Sequence, residues 1–241
     1  MRALRILLIV AVILGVLFAV VDRVAVHFAE GEAADKLRTT ENLASTPDVS
    51  IKGFPFLTQV ASGELDDVEV GIKSYEAATG KGGQKIRIDD LKADMKGVAF
   101  SGDYSSATAS AATGTATIAY DELLKAAKSE PTQLGFGVTA QVVGLSDGGN
   151  GKIKVAIKVS ALPRPVHVLS SVAVRDNKVR VTADGLPRLG ALDLAENRIR
   201  SITDFQQAVD QLPGGIQLDS VQAAKDGVEV TVKGSNVKLA G

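Results

Sequence analysis

Apolar and polar side chains alternate with period two through most of the chain that follows Pro47. Between Lys152 and Leu162, Ile153, Val155, Ile157, Val159 and Ala161 share one face, while Lys152, Lys154 and Lys158 share the other. Lys85–Asp89, Lys178–Thr182 and Gly227–Lys233 repeat the pattern, the last with Val228, Val230 and Val232 aligned. Alternation of this kind predicts antiparallel strands with one wet face. Gly80–Gly83, Ser146–Gly151 and Asp176–Asn177 supply turn chemistry between such segments. Two windows read as short helices. Tyr120–Lys128 has Asp121 near its start and lysines near its end, which suits the helix dipole. Ser201–Leu212 is stopped by Pro213-Gly214-Gly215. Few strands are followed by a helix long enough for a βαβ crossover, which argues against a parallel sheet. The expected class is α+β, an extended curved antiparallel sheet with helices packed on its apolar face. The small-residue tract Ser105–Thr117 reads as a strand whose small inward side chains leave room on the inner face.

A different pattern opens the chain. Ile6–Val21 is a run of sixteen residues without a charged or strongly polar side chain. As a helix it would be roughly 24 Å long at 1.5 Å per residue. That is slightly short for a bilayer core of about 30 Å and slightly long for a signal-peptide core. Cleavage wants small residues, and the positions around Val21–Ala29 offer Val21, Arg23 and His27 instead. An uncleaved signal anchor is therefore favoured over a cleaved signal peptide. Arg2 and Arg5 would stay inside the cell, with the body on the extracytoplasmic side, or secreted if the segment is cut. Asp22–Leu43 continues as a helix that Pro47 ends. The expected organisation is residues 1–21 as anchor or signal peptide and residues 22–241 as one exported domain.

Charge narrows the partners. The chain has 27 Lys and Arg against 28 Asp and Glu, and its apolar N-terminus holds two of the arginines and no acid. The body lacks the concentrated basic face that nucleic acid requires, and no long polybasic run draws anionic lipid from a distance. Any affinity for lipid must come mainly from apolar burial. With no cysteine, neither disulfides nor a lipid-modified cysteine can stabilise or attach the body.

Candidate chemistry is sparse. Gly144-Leu145-Ser146-Asp147-Gly148 matches the G-x-S-x-G string, but a nucleophile elbow needs a strand-to-helix turn and a histidine base. Here strands flank it on both sides, so it reads as a hairpin loop. The two histidines, His27 and His167, lie on segments far apart in sequence, and the pairs Asp66-Asp67 and Asp89-Asp90 point to opposite faces if extended. Gly80-Lys81-Gly82-Gly83 lacks phosphate-loop spacing. The expectation is a protein without metal site, cofactor or catalytic residues, and not an enzyme.

The most distinctive segment is Ile51-Lys52-Gly53-Phe54-Pro55-Phe56-Leu57-Thr58-Gln59-Val60, where two of seven phenylalanines flank a proline in a chain without tryptophan. Pro55 fixes its own φ and pushes Phe54 towards an extended conformation. Two readings stay open: Phe54, Phe56 and Leu57 touch lipid at a groove mouth or membrane, or the rings plug the end of the sheet. Burying one Phe contributes about 1.5–3 kcal/mol, so the second is physically sufficient. The spacing I-x-G-F-P-F-L-T-Q-x3-G-x2-D-x-V-x-V, running from Ile51 to Val70 soon after an apolar N-terminus, resembles the LmeA-like phospholipid-binding proteins of actinobacterial cell envelopes. The likeness extends from about Asp22 to the C-terminus and brings no catalytic motif. It implies a phospholipid partner, a membrane location and a role in envelope lipid or lipoglycan maintenance, with an architecture akin to tubular lipid-binding folds. The lipid-binding candidates are Phe54, Pro55, Phe56 and Leu57. The alternative is a non-enzymatic structural or interaction module serving an envelope protein partner of unknown identity.

Overall fold

A computed structural model describes residues 2–78, 85–102, 106–127, 131–135, 137–175, 178–185, 200, 204–208 and 216–240. The first element is one helix, α1 (Arg2–Thr40), that crosses the expected 21/22 boundary without a break. Strand β1 (Asp48–Lys52), the short helix α2 (Phe56–Ser62) and strands β2 (Glu64–Ala78), β3 (Lys85–Phe100) and β4 (Ala107–Ala119) follow. Helix α3 (Tyr120–Ala127) leads to β5 (Thr132–Gly135), β6 (Val138–Gly149), β7 (Lys152–Val159), β8 (Val166–Arg175), β9 (Lys178–Ala183) and β10 (Phe205–Ala208). The chain closes with β11 (Gln217–Ala223) and β12 (Gly227–Ala240).

The class is α+β, with strongly curled antiparallel sheet and few helices. The strands divide into two six-stranded sheets where the sequence suggested one. Sheet one runs β1-β2-β3-β4-β12-β11, and sheet two runs β10-β9-β8-β7-β6-β5. Every recorded strand pair is antiparallel. Sheet two is inserted between β4 and β11, so the last strand, β12, returns to pair with β4.

One sequence expectation fails here. Phe205–Ala208, inside the window read as a helix over Ser201–Leu212, is strand β10, antiparallel to β9. A short window carries only a weak helical preference, and pairing with the free edge of β9 overrides it. The rest of that window lies outside the described residues, as do the turns at Gly80–Gly83 and Asp176–Asn177.

Two cores form at opposite ends of sheet one. The first, at the end carrying α2, joins Val26 of α1, Ile51, Phe56, Leu65, Val98, Ala109 and Val237. Here Leu65, Val98, Ala109 and Val237 are successive cross-strand partners on β2, β3, β4 and β12. The small residues expected in β4 do face inward: Ala109 is fully buried and Ala112 nearly so. The second core lies between the sheets. Ile153, Val155, Ile157, Val159 and Val168 of sheet two meet Val221, Ala223 and Val228 at the other end of sheet one, with Tyr120 of α3. The Tyr120 hydroxyl donates to the Ala224 carbonyl at 2.7 Å, tying α3 to the β11–β12 connection.

Candidate functional site: an apolar strip and the turn beside helix α1

Between these cores, one cross-strand row runs the whole width of sheet one. Val49 pairs with Val70, Val70 with Ala93, Ala93 with Gly114, Gly114 with Val232, and Val232 with Leu218. Leu218 is buried, but Val49, Val70, Ala93, Gly114 and Val232 are only half-buried. Alternation places the side chains of this row on the face that both cores share. Val49, Val70, Ala93 and Val232 belong to neither core. Small side chains at Ala93 and Gly114 keep the middle of the strip low. The result is an apolar band between two packed ends, suited to contact with a hydrocarbon chain.

A cleft of about 480 Å³ crosses the same strands; its lining is mainly residues that alternate with the strip, among them Ser50, Glu69, Lys92, Asp94 and Thr113, and it also reaches Val70, Ala93 and Gly114. Nearby, carboxylate oxygens of Asp67, Glu69 and Asp94 come within 4.8 Å of one another. Lys52 Nζ lies 3.2 Å from Glu69. Sequence reasoning paired acids by adjacency and so missed this grouping, which depends on the register Glu69 to Asp94. The other candidates stay apart. His27 is on α1, His167 faces Ala156 across sheet two, and Ser146 is a strand residue opposite Lys154.

The second part of the site is the turn. Gly53 has φ +92°, and a Cβ there would lie 2.5 Å from Gln59 Nε2 and 2.8 Å from Asp66 Oδ2, so only glycine fits. The four candidates of the turn separate. Phe54 is 60% exposed, Phe56 is 7% exposed within the first core, and Pro55 and Leu57 are half-buried. Pro55 is the N-cap residue of α2 and offers no side-chain acceptor. That role passes to a residue far away in sequence: Asp22 of α1, fully buried, accepts the Leu57 N–H at 2.8 Å.

Arg23 completes the junction. Its guanidinium donates to Asp22 at 2.7 Å and to the Gly53 carbonyl at 3.2 Å, and lies 5.2 Å from the centre of the Phe54 ring. Burial alone would raise the pKa of Asp22. The Leu57 N–H, the Arg23 guanidinium and the Phe56 N–H outweigh it and hold the carboxyl below its usual value. About two turns further on, Glu30 accepts the Ile51 N–H at 2.9 Å. Helix α1 is thus fastened to β1 and α2 at two points. The sequence signal for Asp22 and Arg23 was their place as the first charges after the apolar run, but nothing local announces their partners.

The model of the LmeA-like phospholipid-binding family matches residues 20–233. The chain belongs to that family. Comparison with curated proteins and with solved structures gave no match. The LmeA-like match begins at Val20, at the end of the apolar run, and takes in the turn, the strip and both sheets up to the middle of β12. Helix α1, whose apolar run lies almost wholly N-terminal to the match, is the one helix among the described residues long and apolar enough to cross a membrane, by length and composition.

Proposed function

We propose that this LmeA-like protein is an exported, membrane-anchored phospholipid-binding protein of the cell envelope. It holds acyl chains against the apolar strip of sheet one, leaves the head group near water and carries out no chemistry. Its contribution is to envelope lipid or lipoglycan maintenance. Helix α1 tethers it, with Arg2 and Arg5 inside and the two sheets outside. The observation that carries the reading is the half-buried row Val49–Val70–Ala93–Gly114–Val232 in a chain of a phospholipid-binding family. A side chain that fills the strip should compete with lipid.

The test is mass spectrometry of organic extracts from the body beginning at Asp22, purified without detergent. A defined phospholipid recovered near stoichiometrically, and reduced severalfold by Ala93→Phe, is the expected result. A clean protein that also takes up no lipid from vesicles would favour a structural envelope module instead.

A further inference from the structure

The exposed apolar run of α1 ends next to the two residues that hold the turn bearing the exposed ring of Phe54. Val21 is the last residue of the run, and Asp22 and Arg23 follow it directly. These two residues hold the turn, Asp22 through Leu57 and Arg23 through the Gly53 carbonyl and the Phe54 ring. At 1.5 Å per residue, Arg23 lies about 3 Å beyond the end of the run along the helix axis. The head-group layer of a bilayer is about 5–7 Å thick on each side. With Ile6–Val21 centred in a hydrocarbon core of about 30 Å, the backbone of Arg23 falls at the head-group boundary, and its guanidinium lies over the Phe54 ring. Phe54 is also the large hydrophobic residue of the β1–α2 segment that the fold leaves outside its core, whereas Phe56, two residues on, is packed. A ring so exposed costs little in the boundary between acyl chains and head groups, where aromatic side chains concentrate.

We propose that the Gly53–Leu57 turn is a second membrane contact, with Phe54 inserted at the head-group boundary beside the anchor. The contact fixes the orientation of the body. The strand ends near α2, which bear Leu65, Val98, Ala109 and Val237, then face the bilayer, and sheet two is held away from it. A single helix would leave the body free to tilt; two contacts, one of them on the turn before α2, do not. This inference rests on the anchor reading of α1 and is independent of whether the strip carries lipid.

The chain has no tryptophan, so one introduced indole reports its own surroundings. Full-length Phe54→Trp, Leu14→Trp and Val143→Trp proteins are reconstituted in phosphatidylcholine vesicles containing lipids brominated near either end of the acyl chain. Leu14 is in the apolar run, and Val143 is an exposed residue of sheet two. Phe54→Trp is expected to emit to the blue of Val143→Trp and to be quenched best by the shallow bromines. Leu14→Trp should be quenched best by the deep ones. A water-like, unquenched Phe54→Trp beside a quenched Leu14→Trp overturns the second contact and leaves the anchor standing. Loss of quenching in both overturns the anchor as well. Equal quenching of Phe54→Trp and Val143→Trp overturns the fixed orientation.

Discussion

Phe54 and Phe56 are separated by one proline and have opposite fates, and the reason lies outside their own segment. Phe56 begins α2 and is drawn into the first core with Val26, Leu65 and Val98, while Phe54 precedes the helix, stays 60% exposed and lies beside the guanidinium of Arg23. Phe56→Ala should therefore cost about 3–5 kcal/mol in chemical unfolding. Phe54→Ala should stay within about 0.5 kcal/mol of the parent. Similar losses from both would mean that the turn is packed as a unit. The sequence made the turn conspicuous but could not divide its residues, because the division depends on Asp22, 35 positions away. Asp22 has its own signature in pH. Its carboxyl is held below the usual 3.8, so its cap on α2 is present at neutral pH and is lost as pH falls through that lowered value. Asp22→Ala should lower the melting temperature by about 3–6 °C at neutral pH. The gap between parent and variant should narrow as pH falls through that lowered value, where the parent carboxyl takes up its proton and the charged cap is lost. A gap of constant size from neutral to acid pH would show that the charge of Asp22 contributes nothing.

At the scale of elements, alternation was legible wherever one face is dry and the other wet. Strand β7 is the clearest case, with Ile153, Val155, Ile157 and Val159 all within 5% exposure and lysines opposite. Strand β10 was not legible, since four residues paired on an edge carry too little pattern to outweigh a helical window. The small-residue strand β4 was read correctly as inward-facing, but the sequence could not say what it faces. Ala109 is pressed beneath the first core, whereas Gly114 opens into the strip. Ala109→Leu should thus overpack and cost about 1–3 kcal/mol. Urea unfolding measures it, and an unchanged midpoint would mean that the core has room where none is described. Tyr120 offers a gentler probe of how α3 is held. Removing its hydroxyl in Tyr120→Phe leaves the Ala224 carbonyl without that donor and should cost about 1 kcal/mol.

For the whole molecule, the question is where the body begins. The sequence placed the boundary between residues 21 and 22 from the change in polarity, and the order of strands was beyond it. Pairing β4 with β12 joins segments over a hundred residues apart, with all of sheet two between them. The fold gives the boundary a physical meaning that polarity alone lacks. Before Asp22 nearly all side chains of α1 are exposed; from Asp22 onward one face turns to the body, through Asp22, Val26, Glu30 and Ala34, while Val24 and Phe28 on the other face stay exposed. Helix α1 is one continuous element, apolar and exposed at one end and packed on one face against the body at the other. A chain starting at Asp22 should therefore keep a single cooperative transition. A chain starting at Gly31 loses the cap on α2, the acceptor for Ile51 and the buried side chain of Val26. Val26 alone contributes about 1.5–3 kcal/mol, a large share of a typical stability of about 5–15 kcal/mol. The Gly31 chain should melt at least about 10 °C below the Asp22 chain. Because the exposed rows would then include the first core, it should also bind a hydrophobic dye that the Asp22 chain does not. Equal melting temperatures would mean that the helix beyond Val21 merely rests on the sheet, and the turn would then have no fixed place relative to the membrane.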